Sequence, residues 1–370
     1  MIKLKKPGSI DLPGIGEVVL SSVRTLSGVL LGLLAGAVLI SISGVNPFTA
    51  YAAMLEGAIG SPYAFANVLV RASPLLFAGV GVAIGIKAGV WNIGAEGYMY
   101  AGAIGATMVG IAPIPVHPLV HILLSVLAAV AFASIWGFIP AFLRAYKGLN
   151  EVVTTIMVNY VAIAFTSWLV HPPNFLAEPD TFFPMSRMIA PTVKLPYLMR
   201  GTSLHSGFIF GIISCILFYL ILRYTPFGFR TRMLGVNLEA ARYAGVNVKR
   251  QILLVMVIGA AMGGIAGAFE VLGLKSRLYM DFVSGVGYEG VAVALLSNGN
   301  PLGVIVSAFF FSALKAGGAT MSIRTGVGKP MVLVIEALCV LFVIALGYKG
   351  KKRLKRKFKR NEKKVLNDDI

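Results

Sequence analysis

The chain has 370 residues, of which 57% are hydrophobic and only 13% charged, and its mean hydropathy is +0.82. That leaves too little polar surface to cover a soluble globule, so the composition excludes a soluble enzyme and puts the chain in a membrane. A net charge of +18 would suggest nucleic acid in a soluble chain; here the charges cluster where a membrane protein keeps them, at one face of the bilayer.

The N-terminal segment, residues 1–21, carries Lys3, Lys5 and Lys6 but no compact apolar core followed by a small-residue cleavage site. It reads as a cytoplasmic segment ahead of an uncleaved anchor rather than a removable signal peptide. Residues 22–348 then form a transmembrane domain, with apolar runs at 22–43, 64–88, 94–115, 119–143, 152–171, 205–223, 251–273, 286–298, 302–320 and 330–348. About 20 residues cross the hydrocarbon core as a helix, so the expected fold is an all-α membrane protein of about ten transmembrane helices with both termini cytoplasmic. Lys87, Arg144, Lys147, the segment 223–250 and the tail all fall inside in that arrangement. The tail, 349–370, holds eleven of the 33 basic residues. A cluster of that kind at a membrane face is attracted to anionic head groups, each charge contributing on the order of 1 kcal/mol. Cys215 and Cys339 fall inside apolar runs and read as packing residues.

Residues 172–204 form an external loop with six prolines and three basic residues. Prolines at that density stop both helix and sheet, leaving an irregular cap that either receives a delivery protein or acts as a passive lid. The runs 286–298 and 302–320 look too short to cross, and Ser297-Asn298-Gly299-Asn300-Pro301 between them is a strong turn signal, so a broken or re-entrant pair is expected. A comparable interruption lies at Gly89–Gly97. Both places put a Glu-Gly pair after a glycine-rich approach, Gly94-Ala95-Glu96-Gly97 and Gly287-Tyr288-Glu289-Gly290. This reads as a weak inverted repeat, with runs two to five matching runs seven to ten, and in transporters such interrupted segments point to the substrate pathway.

The polar interruption at 225–250 carries Arg230, Arg232, Arg242, Lys249 and Arg250 against a single acid, Glu239. Short loops rich in Lys and Arg stay cytoplasmic. Helix formers follow Asn237, a capping residue, so a short surface helix over 237–244 is expected.

Within that loop Glu239, Ala240, Ala241 and Gly245 resemble the EAA-and-glycine signature of ABC importer permeases, although the trailing Ile and Leu-Pro of the full motif are absent. Together with GVWNIGAEGYMYAGAIGA (89–106), GLNEVVTTIMVNYVA (148–162) and GVGYEGVAVALLSNGNPLG (285–303), it resembles the permease subunits of bacterial nucleoside ABC importers, within the simple-sugar and branched-chain amino acid permease superfamily. The resemblance implies a pathway subunit in the cell (inner) membrane with no catalytic machinery and no cofactor of its own. ATP and Mg would be held by a partner ATP-binding subunit, and a second permease and an extracytoplasmic substrate-binding lipoprotein would complete the assembly. The 225–250 loop would be the coupling loop, with Glu239, Ala240, Ala241 and Gly245 engaging the ATPase. The residues agree: Gly326-Val327-Gly328-Lys329 runs into Pro330 and lacks the upstream glycine of a phosphate loop, and no nucleophile is paired with a base.

Polar groups at membrane depth are costly and face partners or water. Asn92, Glu96, Asn159, Glu289 and Asn298 are the candidate pathway residues. Glu96 and Glu289 begin helices after broken segments, where a carboxylate also serves as a cap. Glu151 is within reach of Arg144 and Lys147, Glu336 suits interhelical bonding as well as a pore, and Trp91 and Tyr98 are rings that stack on a base or anchor at an interface. His117 and His121 have the spacing of two metal ligands on one helix face, but no third ligand accompanies them, and no metal site is assigned. Three further readings stay open: a permease for ribose-like sugars, a secondary transporter driven by an ion gradient, and a membrane-embedded enzyme, which the scattered acids disfavour.

Overall fold

The computed structural model describes residues 15–179, 181–328 and 330–346, with side chains from Leu26 onward. The basic tail and all but the end of the N-terminal segment lie outside the described residues. Within them the helices are α1 (Ile15–Ile42), α2 (Pro47–Ile59), α3 (Pro62–Lys87), α4 (Ala95–Gly110), α5 (Pro118–Lys147), α6 (Glu151–Val170), α7 (Gly207–Tyr224), α8 (Pro226–Val236), α9 (Leu238–Tyr243), α10 (Val248–Phe269), α11 (Val286–Leu296) and α12 (Pro301–Thr325). A last helix, α13, covers Pro330–Leu346. Each of the ten apolar runs contains a helix, and among the described residues there is no β-strand, only three isolated bridges.

Among the described residues six helices are long and apolar enough to cross a membrane: α3, α5, α6, α7, α10 with its extension to Lys275, and α12; α1 and α2 add a seventh if the bent pair counts as one span. The expectation of two short spans holds for one of them. α11 has 11 residues, which rise only about 16 Å. α12 runs to Thr325, five residues past its apolar core, because Met321 and Ile323 extend the helix beyond the small residues Gly317 and Gly318. α2 was not expected, since Thr49, Tyr51, Glu56 and Gly57 dilute its apolar character.

The chain divides into two compact units, Met1–Ala50 with Thr325–Ile370, and Tyr51–Arg324. In the first, α1 and α13 pack backbone to backbone. A Cβ on Gly28 would stand 2.7 Å from Val343 Cα, and one on Gly32 would stand 2.5 Å from Cys339 Cα, so only glycine permits that approach. The Cys339 thiol points at the Val29 carbonyl, 3.7 Å away, and Glu336 is buried in the same unit.

In the second unit α3 and α10 are buried along most of their length, while α5, α6 and α7 turn most of their apolar surface outward, as helices facing lipid do. α10 is the axis. A Cβ on Gly102 of α4 would stand 2.3 Å from Gly264 Cα, one on Gly264 would stand 2.4 Å from Ala133 Cβ of α5, and one on Gly267 would collide with the Met99 carbonyl. α10 also packs on α3 and α5, and α11 packs on α3. The segment 270–275 continues α10 as a π-helix, an irregularity often found at functional sites.

The proline-rich loop is held by main-chain bonds to the break between α10 and α11. Ser186 N–H donates to Leu278 O at 2.7 Å, Ile189 N–H to Ser276 O at 3.1 Å and Leu195 N–H to Leu272 O at 2.9 Å, while Arg277 pairs with Glu178 at 3.3 Å. At the end of this loop His205 is buried against Gly273 and accepts the Gly207 N–H at 3.2 Å. Burial pushes its imidazole down to about 4. Because this folded value lies below the ordinary one near 6.5, the histidine's contribution is intact above that pH and is lost as pH falls towards 4. His205→Gln should therefore flatten the acid side of the thermal-stability profile between those two values, by up to about 3 kcal/mol at the low end.

Candidate functional site

Three arrangements in the second unit bear on function. The first is a belt around the break between α3 and α4. Residues 89–94 leave the helical path, and their backbone groups need partners wherever they are buried. α6 supplies them from one face, because Glu151, Thr155 and Asn159 recur every fourth residue. Glu151 Oε1 accepts from Trp91 N–H at 3.2 Å, Thr155 Oγ1 from Ile93 N–H at 3.3 Å and Asn159 Oδ1 from Gly97 N–H at 2.9 Å. The Asn159 amide also donates to Ile93 O at 2.9 Å and to the Tyr288 hydroxyl at 3.3 Å. Arg144 holds Glu151 from the other side at 3.1 Å, as the sequence spacing suggests.

Asn92 closes the start of α4, accepting from Gly94 N–H at 3.2 Å and the Tyr98 hydroxyl at 2.9 Å while donating to Met256 O at 3.4 Å. Glu96 does cap a helix, though not its own. Its carboxylate accepts from Gly285 N–H at 2.8 Å and Gly287 N–H at 2.7 Å, the orphan donors that open α11. Gly287 lies against the backbone of Ala95 and Glu96 with no space for a side chain. The two broken segments are thus tied to each other across 189 residues of sequence. Tyr98 is fully buried and so is not free to stack on a ligand, whereas Trp91 is half exposed.

The second arrangement is a cleft of about 550 Å³ between the first half of α3, the π-helical turn, α11 and α12. Of the five predicted pathway residues, Glu289 lines it. Asn92, Glu96 and Asn159 belong to the belt, and Asn298 sits in the α11–α12 turn with a positive φ of 55°, its carbonyl accepting from Lys87 at 3.2 Å. Glu289 forms an ion pair with Lys315 of α12. A second pair, Glu270 with Lys275 at 3.5 Å, and Arg71 of α3 also face the cleft. Sequence reasoning missed Arg71, Glu270 and Lys315. The signal was present, since each is an ionisable residue inside an apolar run.

The third arrangement is the basic loop. Asn237 caps α9, accepting from Glu239 N–H at 3.0 Å and Ala240 N–H at 3.1 Å. Gly245 ends it at φ +79°, where a Cβ would strain the backbone but meet no neighbour. Ala241 is fully buried and seats α9 on its own subunit. Glu239 is exposed and lies 3.6 Å from Arg242. Val236 and Tyr243 are 87% and 91% exposed, an apolar edge amid the arginines.

The two histidines of α5 serve different ends. His117 accepts from Leu119 N–H at 3.3 Å as a cap, and His121 is buried between Thr192 Oγ1 and Val109 O at 2.9 and 3.0 Å. Among the described residues no group of three or more His, Cys, Asp or Glu is placed to hold a metal ion.

Comparison with known proteins bears on these arrangements together. The family described as branched-chain amino acid transport system / permease component matches residues 64–345. The guanosine ABC transporter permease NupP of Bacillus subtilis is 33% identical over 86% of this chain and 91% of its own length. The glucose ABC transporter permease TsgB13 of Haloferax volcanii is 32% identical over 85% of each chain, and the nucleoside ABC transporter permease NupB of Lactococcus lactis is 30% identical over 86% and 89%. No solved structure matches the chain. The match spans α3 to α13 and so takes in the belt, the cleft and the basic loop alike: the chain is a multi-pass membrane protein that belongs to the permease family of branched-chain amino acid transport systems.

Proposed function

We propose that the chain is the membrane-spanning permease subunit of an ABC importer that takes up nucleosides. The observation that carries this is the basic loop: a capped, solvent-exposed short helix whose outer edge is apolar and ringed with arginine, on a chain alike along most of its length to permeases named for guanosine and for nucleosides. The loop faces the cytoplasm and grips an ATP-binding subunit, which carries ATP and Mg, through Glu239, Ala240, Ala241 and Gly245. Ala241 anchors the helix to the permease while Glu239 and the apolar edge meet the partner. A second permease, identical or homologous, and an extracytoplasmic binding lipoprotein complete the complex in the cell membrane.

All ten apolar runs are read as membrane-embedded, α4 and α11 as half-depth segments, with both termini cytoplasmic and 172–204 outside. Reciprocal packing supports the inverted repeat: α4, which follows α3, packs on α10, and α11, which follows α10, packs on α3. Asn92, Glu96, Asn159, Glu289 and Asn298 border the pathway, the first three by shaping the belt, Glu289 from the cleft wall and Asn298 from the turn beside it. ATP binding on the partner shifts the population between outward and inward access through the loop. The test is uptake of labelled guanosine by proteoliposomes holding the complete complex. Accumulation with ATP inside and no ion gradient supports the assignment; uptake driven by a proton or sodium gradient without the ATPase would overturn it.

A further inference from the structure

The cleft beneath the proline-rich cap holds five charges, yet its chemistry is balanced rather than strongly signed. Glu289 is matched by Lys315 and Glu270 by Lys275, and Arg71 is a further cation whose charge also acts on Glu270. Lys275 is held further by the Phe282 carbonyl and lies 4.4 Å from the centre of the Phe282 ring. A ligand carrying its own charge would have to compete with these pairings for one of the wall's ions, the hold of Arg71 on Glu270 included, a costly exchange. Hydroxyl groups donate to a carboxylate and accept from an ammonium, so they bind beside an intact pair from either side.

One further group in the wall points the same way. The Ser312 hydroxyl is fully buried and has no hydrogen-bond partner, one turn before Lys315 on α12. A buried hydroxyl left unpaired is destabilising, and native proteins keep few of them. The cleft volume, about 550 Å³, lies within the range of about 300–1,000 Å³ usual for small-molecule sites. Its mouth presents Tyr63, 61% exposed, with Asn67 and the loop residues Gly201 to Ser203.

We propose that this cleft binds a neutral, hydroxyl-rich ligand beside its two ion pairs, with Ser312 donating or accepting the hydrogen bond that completes the site. The proposal rests on the reading of the chain as a nucleoside permease and assigns the ligand's sugar to α12. Its test compares transport of guanosine with transport of the 2′-, 3′- and 5′-deoxyguanosines by the complete complex in proteoliposomes. The delivery protein is the same throughout, so a change in the ratio of kcat/KM values between wild type and variant reports the permease.

Ser312→Ala should lower the wild-type preference for guanosine over one of the three analogues about fivefold, the worth of one hydrogen bond. Ser312→Thr, which keeps the hydroxyl, should retain the preference. Ratios unchanged for all three analogues in Ser312→Ala, or guanosine monophosphate carried as well as guanosine, would overturn the site. Wild-type complex that carries glucose and not guanosine would overturn the nucleoside reading alone; the same loss of preference, measured with deoxyglucoses, would then support the cleft, and its absence would overturn it.

Discussion

Glu96→Ala is expected to cost about 2–4 kcal/mol, because it leaves the buried Gly287 N–H and the partly buried Gly285 N–H at the start of α11 without acceptors, at about 1–3 kcal/mol for the buried group and less for the other. Gly285 and Gly287 spend both bonds on Glu96, and Gly287 is wedged against the backbone N–H of Glu96, a donor that cannot replace the lost carboxylate. Glu96→Gln keeps one oxygen and should fall between wild type and alanine, since a single amide oxygen accepts one of the two bonds well. Thermal unfolding of the purified complex measures both variants. Equal stability of alanine and wild type would mean that water, not Glu96, satisfies α11. Such a loss is large against the 5–15 kcal/mol typical of a folded domain, so reduced membrane levels of Glu96→Ala should accompany it.

Tyr243→Ala should weaken the permease's hold on the ATP-hydrolysing subunit about 30-fold, the effect of losing a central aromatic anchor of about 2 kcal/mol. The ring is 91% exposed, so its removal leaves the permease's own packing untouched. Gly245→Leu should act differently. Its Cβ meets nothing within the chain, but φ +79° is strained for any side chain by roughly 1 kcal/mol, so the loop shifts and the partner meets added bulk. In both cases α9 stays capped by Asn237 and insertion into the membrane is unaffected. Titration of the permease, in detergent, with labelled ATP-hydrolysing subunit gives the ratio directly; wild-type affinity in Tyr243→Ala would remove the edge from the interface.

The sequence made some of this legible and hid the rest for physical reasons. Apolar runs mark helices because lipid demands them, and Asn237 marked α9 because a cap is a local bond between residues two and three apart. The break at Gly89–Gly97 was legible from its glycines and its Glu-Gly pair. That α6 would satisfy that break was not, since Glu151, Thr155 and Asn159 are some 60 residues away and look like any polar residues on a span. Glu96 was recognised as a cap but assigned to the nearer helix, because sequence shows the residue and not the helix end that folding brings to it. The cleft was missed for the same reason: Arg71, Glu270 and Lys315 are single charges in three separate runs, and only the packing of α3, α10 and α12 makes them neighbours of one cavity.

The account depends on movement at the basic loop reaching the cleft on the far side of α3 and α10. Asn67, exposed at the mouth of that cleft, offers the direct measurement. With Asn67→Cys in the complete complex, and both native thiols buried, the rate of labelling by a membrane-impermeant thiol reagent added outside is followed with the ATPase nucleotide-free and then arrested with ATP bound. A several-fold difference between the two states is the predicted result, and identical rates would contradict a conduit driven from its inner face.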